Sequence, residues 1–212
     1  MRDERREVAG ALARARRLLL TCHQDPDPDA LGSMLALQRV LRSLGKHAVA
    51  CSPDPVRPPW RWLPGVEELL EPGQALERAA RGEFDTLVAL DGELERTGPV
   101  ARAAGRVRTV VNVDHHPTNP GRDGIAWIDP EAAATGEMVY RLCLELGVTP
   151  DPQAASLLYA AILTDTGGFR FANTTAAALR TAAELVERGA RPDELYERFF
   201  GRVSWGHLRL LA

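Results

Sequence analysis

Apolar positions along the chain follow two rhythms, and the rhythms alternate. Short aliphatic and β-branched runs occupy Arg17 to Cys22, His47 to Ser52, Phe84 to Leu90, Thr109 to Val113 and Ile125 to Ile128. Brief runs bounded by polar or turn-forming residues predict buried strands. Between them apolar residues recur at helical spacing over residues 3–16, from Leu31 through Leu35, Val40 and Leu41 to Leu44, and near Gln74 to Arg81. Further helices are expected at Ala134 to Leu146, Pro152 to Leu163, Thr175 to Arg188 and Pro192 to Phe200. Asp29 is expected to cap the second helix, with Gly45 ending it and Gly147 ending the one after Ala134. The proline-rich stretch Ser52 to Pro72, with Trp60 and Trp62, reads as a loop carrying a hydrophobic plug. Strands alternating with helices predict an α/β fold, a mostly parallel sheet covered by helices on both faces. Residues 1–190 form one expected domain. Trp205, Leu208 and Leu211 keep helical spacing to the last residue, so residues 191–212 are expected to be a connector helix toward a second domain absent from the sequence.

Composition narrows this picture mainly by exclusion. The 212 residues carry a formal net charge of −3, against a surface built to coat long duplex DNA. No apolar run reaches the roughly 18 residues of a membrane span. The charged N-terminus, MRDERREVAG, is unlike a secretory signal, so a cytoplasmic protein is expected. Cys22, Cys51 and Cys143 are scattered without ligand spacing and read as buried reduced thiols.

The chemistry lies where the apolar runs stop. The strand around Thr109 to Val113 delivers Asp114, His115 and His116 at its carboxyl end, where open α/β sheets bind ligands. The first strand runs into His23-Gln24-Asp25-Pro26-Asp27-Pro28-Asp29, the third into Asp91-Gly92, and a late helix into Asp165-Thr166-Gly167. Buried carboxylates must be paired or bound to a cation. The candidate ligands are His23, Asp27, Asp29, Asp91, His115 and Asp165, with Asp91 as the bridge between two ions. Imidazole and carboxylate without thiolate suit Mn²⁺, with Mg²⁺, Co²⁺ or Zn²⁺ as substitutes. Two such ions about 3.5–4 Å apart serve phosphoryl chemistry. Asp25 and the Asp129-Pro130 pair read as turn residues, and His47 and His207 as surface or packing histidines.

The ordered set HQDPDPDALGS (from His23), ALDGELERTG (from Ala89), NVDHHPTN (from Asn112) and LTDTGGFRF (from Leu163) resembles the DHH phosphoesterase family, over about His23 to Phe171. Its form is most similar to the small bacterial enzymes that hydrolyse short oligoribonucleotides and dephosphorylate 3′-phosphoadenosine 5′-phosphate. The resemblance implies a two-metal phosphohydrolase that uses water activated by the binuclear site. One ion would sit at His23, Asp27 and Asp91, the other at Asp29, Asp91, His115 and Asp165. His116 would act on the scissile phosphate or the leaving group, Asp114 would orient a histidine, and Arg96 would prop the site or a loop. Asn119, Phe169 and Arg170 would support the site or touch substrate, with Phe169 or Phe171 as a stacking surface for a base. Expected partners are short single-stranded RNA or small phosphorylated nucleotides, with no membrane and no long duplex DNA, and a homodimer is allowed. The glycine-rich, histidine-containing motif of the family's second domain does not occur after residue 171. Alternative readings are a RecJ-like single-strand exonuclease, a cyclic dinucleotide phosphodiesterase, a pyrophosphatase, or a nucleotide-binding module without turnover.

Overall fold

The structure, a computed structural model, describes residues 2–201. Its centre is a five-stranded sheet of order β2-β1-β3-β4-β5, built from β1 (Arg17–Cys22), β2 (His47–Cys51), β3 (Thr86–Leu90), β4 (Thr109–Asp114) and β5 (Ile125–Ile128). Every strand pair is parallel. The chain lays down β1, passes through α2 (Pro28–Ser43) to β2 at the edge, then crosses back to place β3 on the other side of β1. The carboxyl ends of β1 and β3 therefore flank the point where strand order reverses, where such sheets open a crevice.

Alternating side chains of the strands feed two cores. Leu18, Leu20, Val88, Leu90, Val111 and Val113 face a thick helical layer containing α1 (Arg2–Arg14), α2, α4 (Thr135–Glu145), α5 (Pro152–Asp165), α6 (Ala176–Glu187) and the short α7 (Pro192–Tyr196). Leu19, Val49, Cys51 and Leu87 face a thinner layer of α3 (Pro72–Ala80) and a 3₁₀ segment, Leu94–Arg106, bent at Gly98. The parallel sheet with both faces covered is the architecture that the periodicity predicts. No element is expected from the pattern across the 3₁₀ segment, where short apolar side chains and Pro99 break any helical rhythm. The stretch expected as a loop, Ser52 to Pro72, carries 3₁₀ turns at Pro58–Trp60 and Val66–Glu68.

Two boundaries change the reading of functional residues. Asp27, not Asp29, caps α2: its Oδ1 accepts from the Ala30 amide at 3.0 Å. Pro28 explains the shift, because proline lacks an N–H and suits the first helical position, which makes the preceding residue the cap. Asp29 is thereby freed for the site. The last helix before the DTGG turn also runs two residues beyond its expected end and includes Asp165. The helix expected at Trp205, Leu208 and Leu211, like His207, lies outside the described residues. Cys22, Cys51 and Cys143 are free and buried, and burial pushes the thiols of Cys51 and Cys143 up to about 12. No helix among the described residues is long and apolar enough to cross a membrane.

The site-bearing helices meet at small residues. A Cβ added at Gly32 of α2 would lie 2.6 Å from the Leu157 carbonyl oxygen of α5. Gly32→Ala is expected to destabilise the fold by about 1–3 kcal/mol through overpacking, read as a lower midpoint in urea unfolding. An unchanged midpoint would contradict this close approach of α2 and α5.

Candidate metal centre

Parallel register brings three strand ends into line. Cys22 pairs with Leu90 and Leu90 with Val113, so the next residues, His23, Asp91 and Asp114, emerge side by side. Asp91 lies in the middle, 1 % exposed, with a left-handed backbone (φ 60°) that aspartate adopts at a cost. Its amide donates to the Val113 carbonyl at 3.0 Å. The buried Asn112 side chain donates to the carbonyls of Gly92 (2.8 Å) and Ala89 (3.3 Å) and so ties the turn around Asp91 to β4.

Two imidazoles face this carboxylate from opposite sides. His23 Nδ1 lies 2.7 Å from the Gln24 carbonyl, and His115 Nδ1 lies 3.3 Å from the Ala132 carbonyl. A carbonyl only accepts, which assigns the proton to Nδ1 and leaves Nε2 with a lone pair. His23 Nε2 faces Asp91 Oδ2 at 3.5 Å and Asp27 Oδ2 at 3.9 Å. His115 Nε2 faces Asp91 Oδ1 at 3.7 Å, Asp29 Oδ2 at 3.8 Å and Asp165 Oδ2 at 3.7 Å. Lone pairs thus point at carboxylate oxygens across gaps longer than a good hydrogen bond, an arrangement that a cation between them would satisfy.

The electrostatics point the same way. Burial, followed by the charge of Asp91, raises the Asp27 carboxyl and raises that of Asp29 further, with Asp165 adding to the latter. Asp165 is pushed up to about 6, chiefly by burial, with Asp91 and Asp27 adding to the shift. Burial lowers the His23 imidazole, but its hydrogen bonds and the nearby carboxylates outweigh that and raise it overall. Among the described residues no lysine or arginine pairs with Asp27, Asp29, Asp91 or Asp165. The groups His23/Asp27/Asp91, Asp29/His115/Asp165 and Asp91/His115/His116 each have the geometry to hold a metal ion. The donor set fits one: two imidazoles and repelling, buried carboxylates with no lysine or arginine paired to them among the described residues.

His116 stands at the rim, and its Nδ1 lies 2.7 Å from Asp114 Oδ1. That carboxylate raises the imidazole, while His116 and Asn119 hold Asp114 low against the opposing effect of burial. Asn119 donates through Nδ2 to Asp114 Oδ2 (2.8 Å) and Asn112 Oδ1 (2.9 Å), and its own oxygen accepts from the Gly121 amide at 2.9 Å. Asn119 is therefore committed to the interior. A continuous chain of hydrogen bonds runs from the Asp91–Gly92 turn through Asn112, Asn119 and Asp114 to His116.

The remaining expected residues divide. The Arg96 carbonyl accepts from the Gln24 amide at 2.7 Å and holds the loop after β1, while the side chain is exposed. Phe169 packs edge-on against Tyr159, whereas Phe171 stands 57 % exposed. Arg170 donates to the Gly167 carbonyl at 2.7 Å. Asp25 takes a left-handed turn and is gripped by Arg57. Asp129 closes a turn and binds Arg141. Sequence reading misses Asn112, Ser33, Thr135, Gly136 and Asn173. Ser33 Oγ donates to Asp29 Oδ1 (3.0 Å), the Thr135 and Gly136 amides reach Asp29 Oδ2 (2.8 Å) and Oδ1 (2.9 Å), and Asn173 contacts Asp165. Short polar residues at element boundaries look like ordinary caps in a sequence, and for Thr135 and Gly136 nothing in the spacing reveals a partner more than a hundred residues away.

Comparison with known proteins bears on the family. The sequence matches the DHH family, N-terminal domain, over residues 17–162. It is 43% identical over 183 residues to the bifunctional oligoribonuclease and PAP phosphatase NrnA of Thermus thermophilus, covering 85% of this chain and 53% of that protein. To the NrnA of Bacillus subtilis it is 30% identical over 186 residues, 86% of this chain and 56% of that one. The chain thus spans about half the length of these curated relatives. Its fold superposes on an exopolyphosphatase-related protein from Bacteroides fragilis with a TM-score of 0.90 and 26% identity, over 100% of this chain and 64% of the other. With a domain-wide match laid over aligned strand ends that carry the Asp-His-His signature, the chain belongs to the DHH family and carries its N-terminal domain.

Proposed function

We propose that this chain is the catalytic domain of a two-metal phosphoesterase acting on short oligoribonucleotides and on 3′-phosphoadenosine 5′-phosphate. The observation that carries the reading is the position of Asp91, one oxygen toward His23 and the other toward His115. One ion would be held by His23, Asp27 and Asp91, the second by Asp29, Asp91, His115 and Asp165. Divalent cations of the Mn²⁺ type supply Lewis acidity and make water a nucleophile at neutral pH. The substrate class follows from the relatives of Thermus thermophilus and Bacillus subtilis, both named as oligoribonuclease and PAP phosphatase. Because the matched stretch covers only 53% and 56% of those proteins, a second domain reached through residues 191–212 is part of the proposal.

The chain's own groups have distinct tasks. Asp114 engages His116 at Nδ1, which leaves Nε2 as the free ring nitrogen. His116 Nε2 then holds a proton against the phosphate or passes it to the leaving oxygen. The hydrogen bond to Asp114 raises the imidazole and so favours the proton-carrying form. The exposed Phe171 is the aromatic surface on which a base stacks.

Mn²⁺-dependent phosphate release from 3′-phosphoadenosine 5′-phosphate tests the reading, with the chain assayed alone and joined to the C-terminal part of the Thermus thermophilus relative. Turnover in either form supports it, and silence in both with two Mn²⁺ bound would overturn the substrate assignment. His116→Ala is expected to lower kcat by about 10²–10⁴ with Mn²⁺ uptake intact; an unchanged kcat would remove the proton role. Asp91→Asn is expected to weaken both ions together in a calorimetric titration, and two undiminished sites would exclude Asp91 as their bridge.

A further inference from the structure

Helix α4 starts without a cap of its own. Its N-cap position is Ala134, whose side chain has no oxygen, so the first amides need another acceptor. Asp29 of α2 supplies it from across the core: Thr135 N–H donates to Oδ2 at 2.8 Å and Gly136 N–H to Oδ1 at 2.9 Å. Gly136 lets the start of α4 lie close to α5, since a Cβ there would lie 2.5 Å from the Ala161 Cβ. Thr135, fully buried, also donates its hydroxyl to Asp91 Oδ1 at 2.9 Å. One residue therefore grips two carboxylates, by its amide and by its hydroxyl. Both gripped oxygens face His115 Nε2, at 3.8 Å from Asp29 and 3.7 Å from Asp91.

We infer that Thr135 is the positioning residue of the metal pair, fixing the rotation of the Asp91 carboxylate so that one oxygen serves each ion. This rests on the two-metal reading above. The hydroxyl occupies one lone pair of Asp91 Oδ1 and leaves the other toward His115, while Oδ2 stays turned toward His23. Without the hydroxyl the carboxylate loses the donor that sets its rotation, and the subsite containing His115 suffers first. Valine has the same shape as threonine, keeps the amide bond to Asp29 and removes only the hydroxyl.

The test is Mn²⁺ titration of metal-free protein by calorimetry, followed by electron paramagnetic resonance of the loaded samples, for wild type, Thr135→Val, Thr135→Ala and Thr135→Ser. Wild type is expected to take up two ions with an exchange-broadened spectrum. Thr135→Val and Thr135→Ala are expected to lose about 10–100-fold in affinity for one ion and to show the sharp hyperfine pattern of isolated Mn²⁺. Thr135→Ser is expected to restore both affinity and spectrum. If neither valine nor alanine changes the affinities and the spectrum, the inference is overturned. It is equally overturned if serine fails to rescue, because the methyl group and not the hydroxyl would then matter. A wild-type protein that binds no second ion would remove the metal-pair reading itself, a result distinct from either.

Discussion

Concentrated negative charge without a cationic side chain is the constraint around which this molecule is built. Asp27, Asp29, Asp91 and Asp165 converge on His23 and His115, and no lysine or arginine among the described residues pairs with these carboxylates. Such a cluster is costly in a folded interior. The fold offsets part of that cost with fixed dipoles: the first amides of α4 on Asp29, the Ala30 amide on Asp27, and the Ser33 and Thr135 hydroxyls. These donors orient the oxygens of Asp27, Asp29 and Asp91. The remaining repulsion is what makes the site selective for cations.

The sheet topology explains why the ligands meet. With β3 between β1 and β4, and the strand ends in register, His23, Asp91 and Asp114 must emerge together. Helices α2 and α5 then bring in Asp29 and Asp165 from above, at a closeness that Gly32 permits. The two halves of the site are also joined beneath the surface. Asn112 holds the turn carrying Asp91, Asn119 holds Asn112 and Asp114, and Asp114 holds His116. A change in the interior of β4 therefore reaches both the shared carboxylate and the proton-carrying histidine.

Much of this was legible in the sequence, for physical reasons. Strand-end acids and imidazoles stand out because an abrupt change from β-branched residues to Asp-His-His has few structural explanations. The parallel sheet followed from the alternation of the two periodicities. What escaped was of two kinds. The cap of α2 was misplaced by two residues because both Asp27 and Asp29 have capping chemistry, and Pro28 decides between them. Thr135 and Gly136 escaped because their partner Asp29 lies more than a hundred residues away, and Asn112 and Asn173 because a single amide side chain inside a strand or turn carries no spacing that marks it. Phe169 and Phe171, equivalent in the sequence, separate only in three dimensions, one packed on Tyr159 and the other exposed.

The central claim is that Asp91 is shared by two cations. Anomalous diffraction from crystals of the protein soaked in Mn²⁺, recorded at the manganese edge, tests it directly. The account predicts two peaks, one between Asp91 and His23 and the other between Asp91 and His115. A single peak, or two peaks of which one lies away from Asp91, would contradict it.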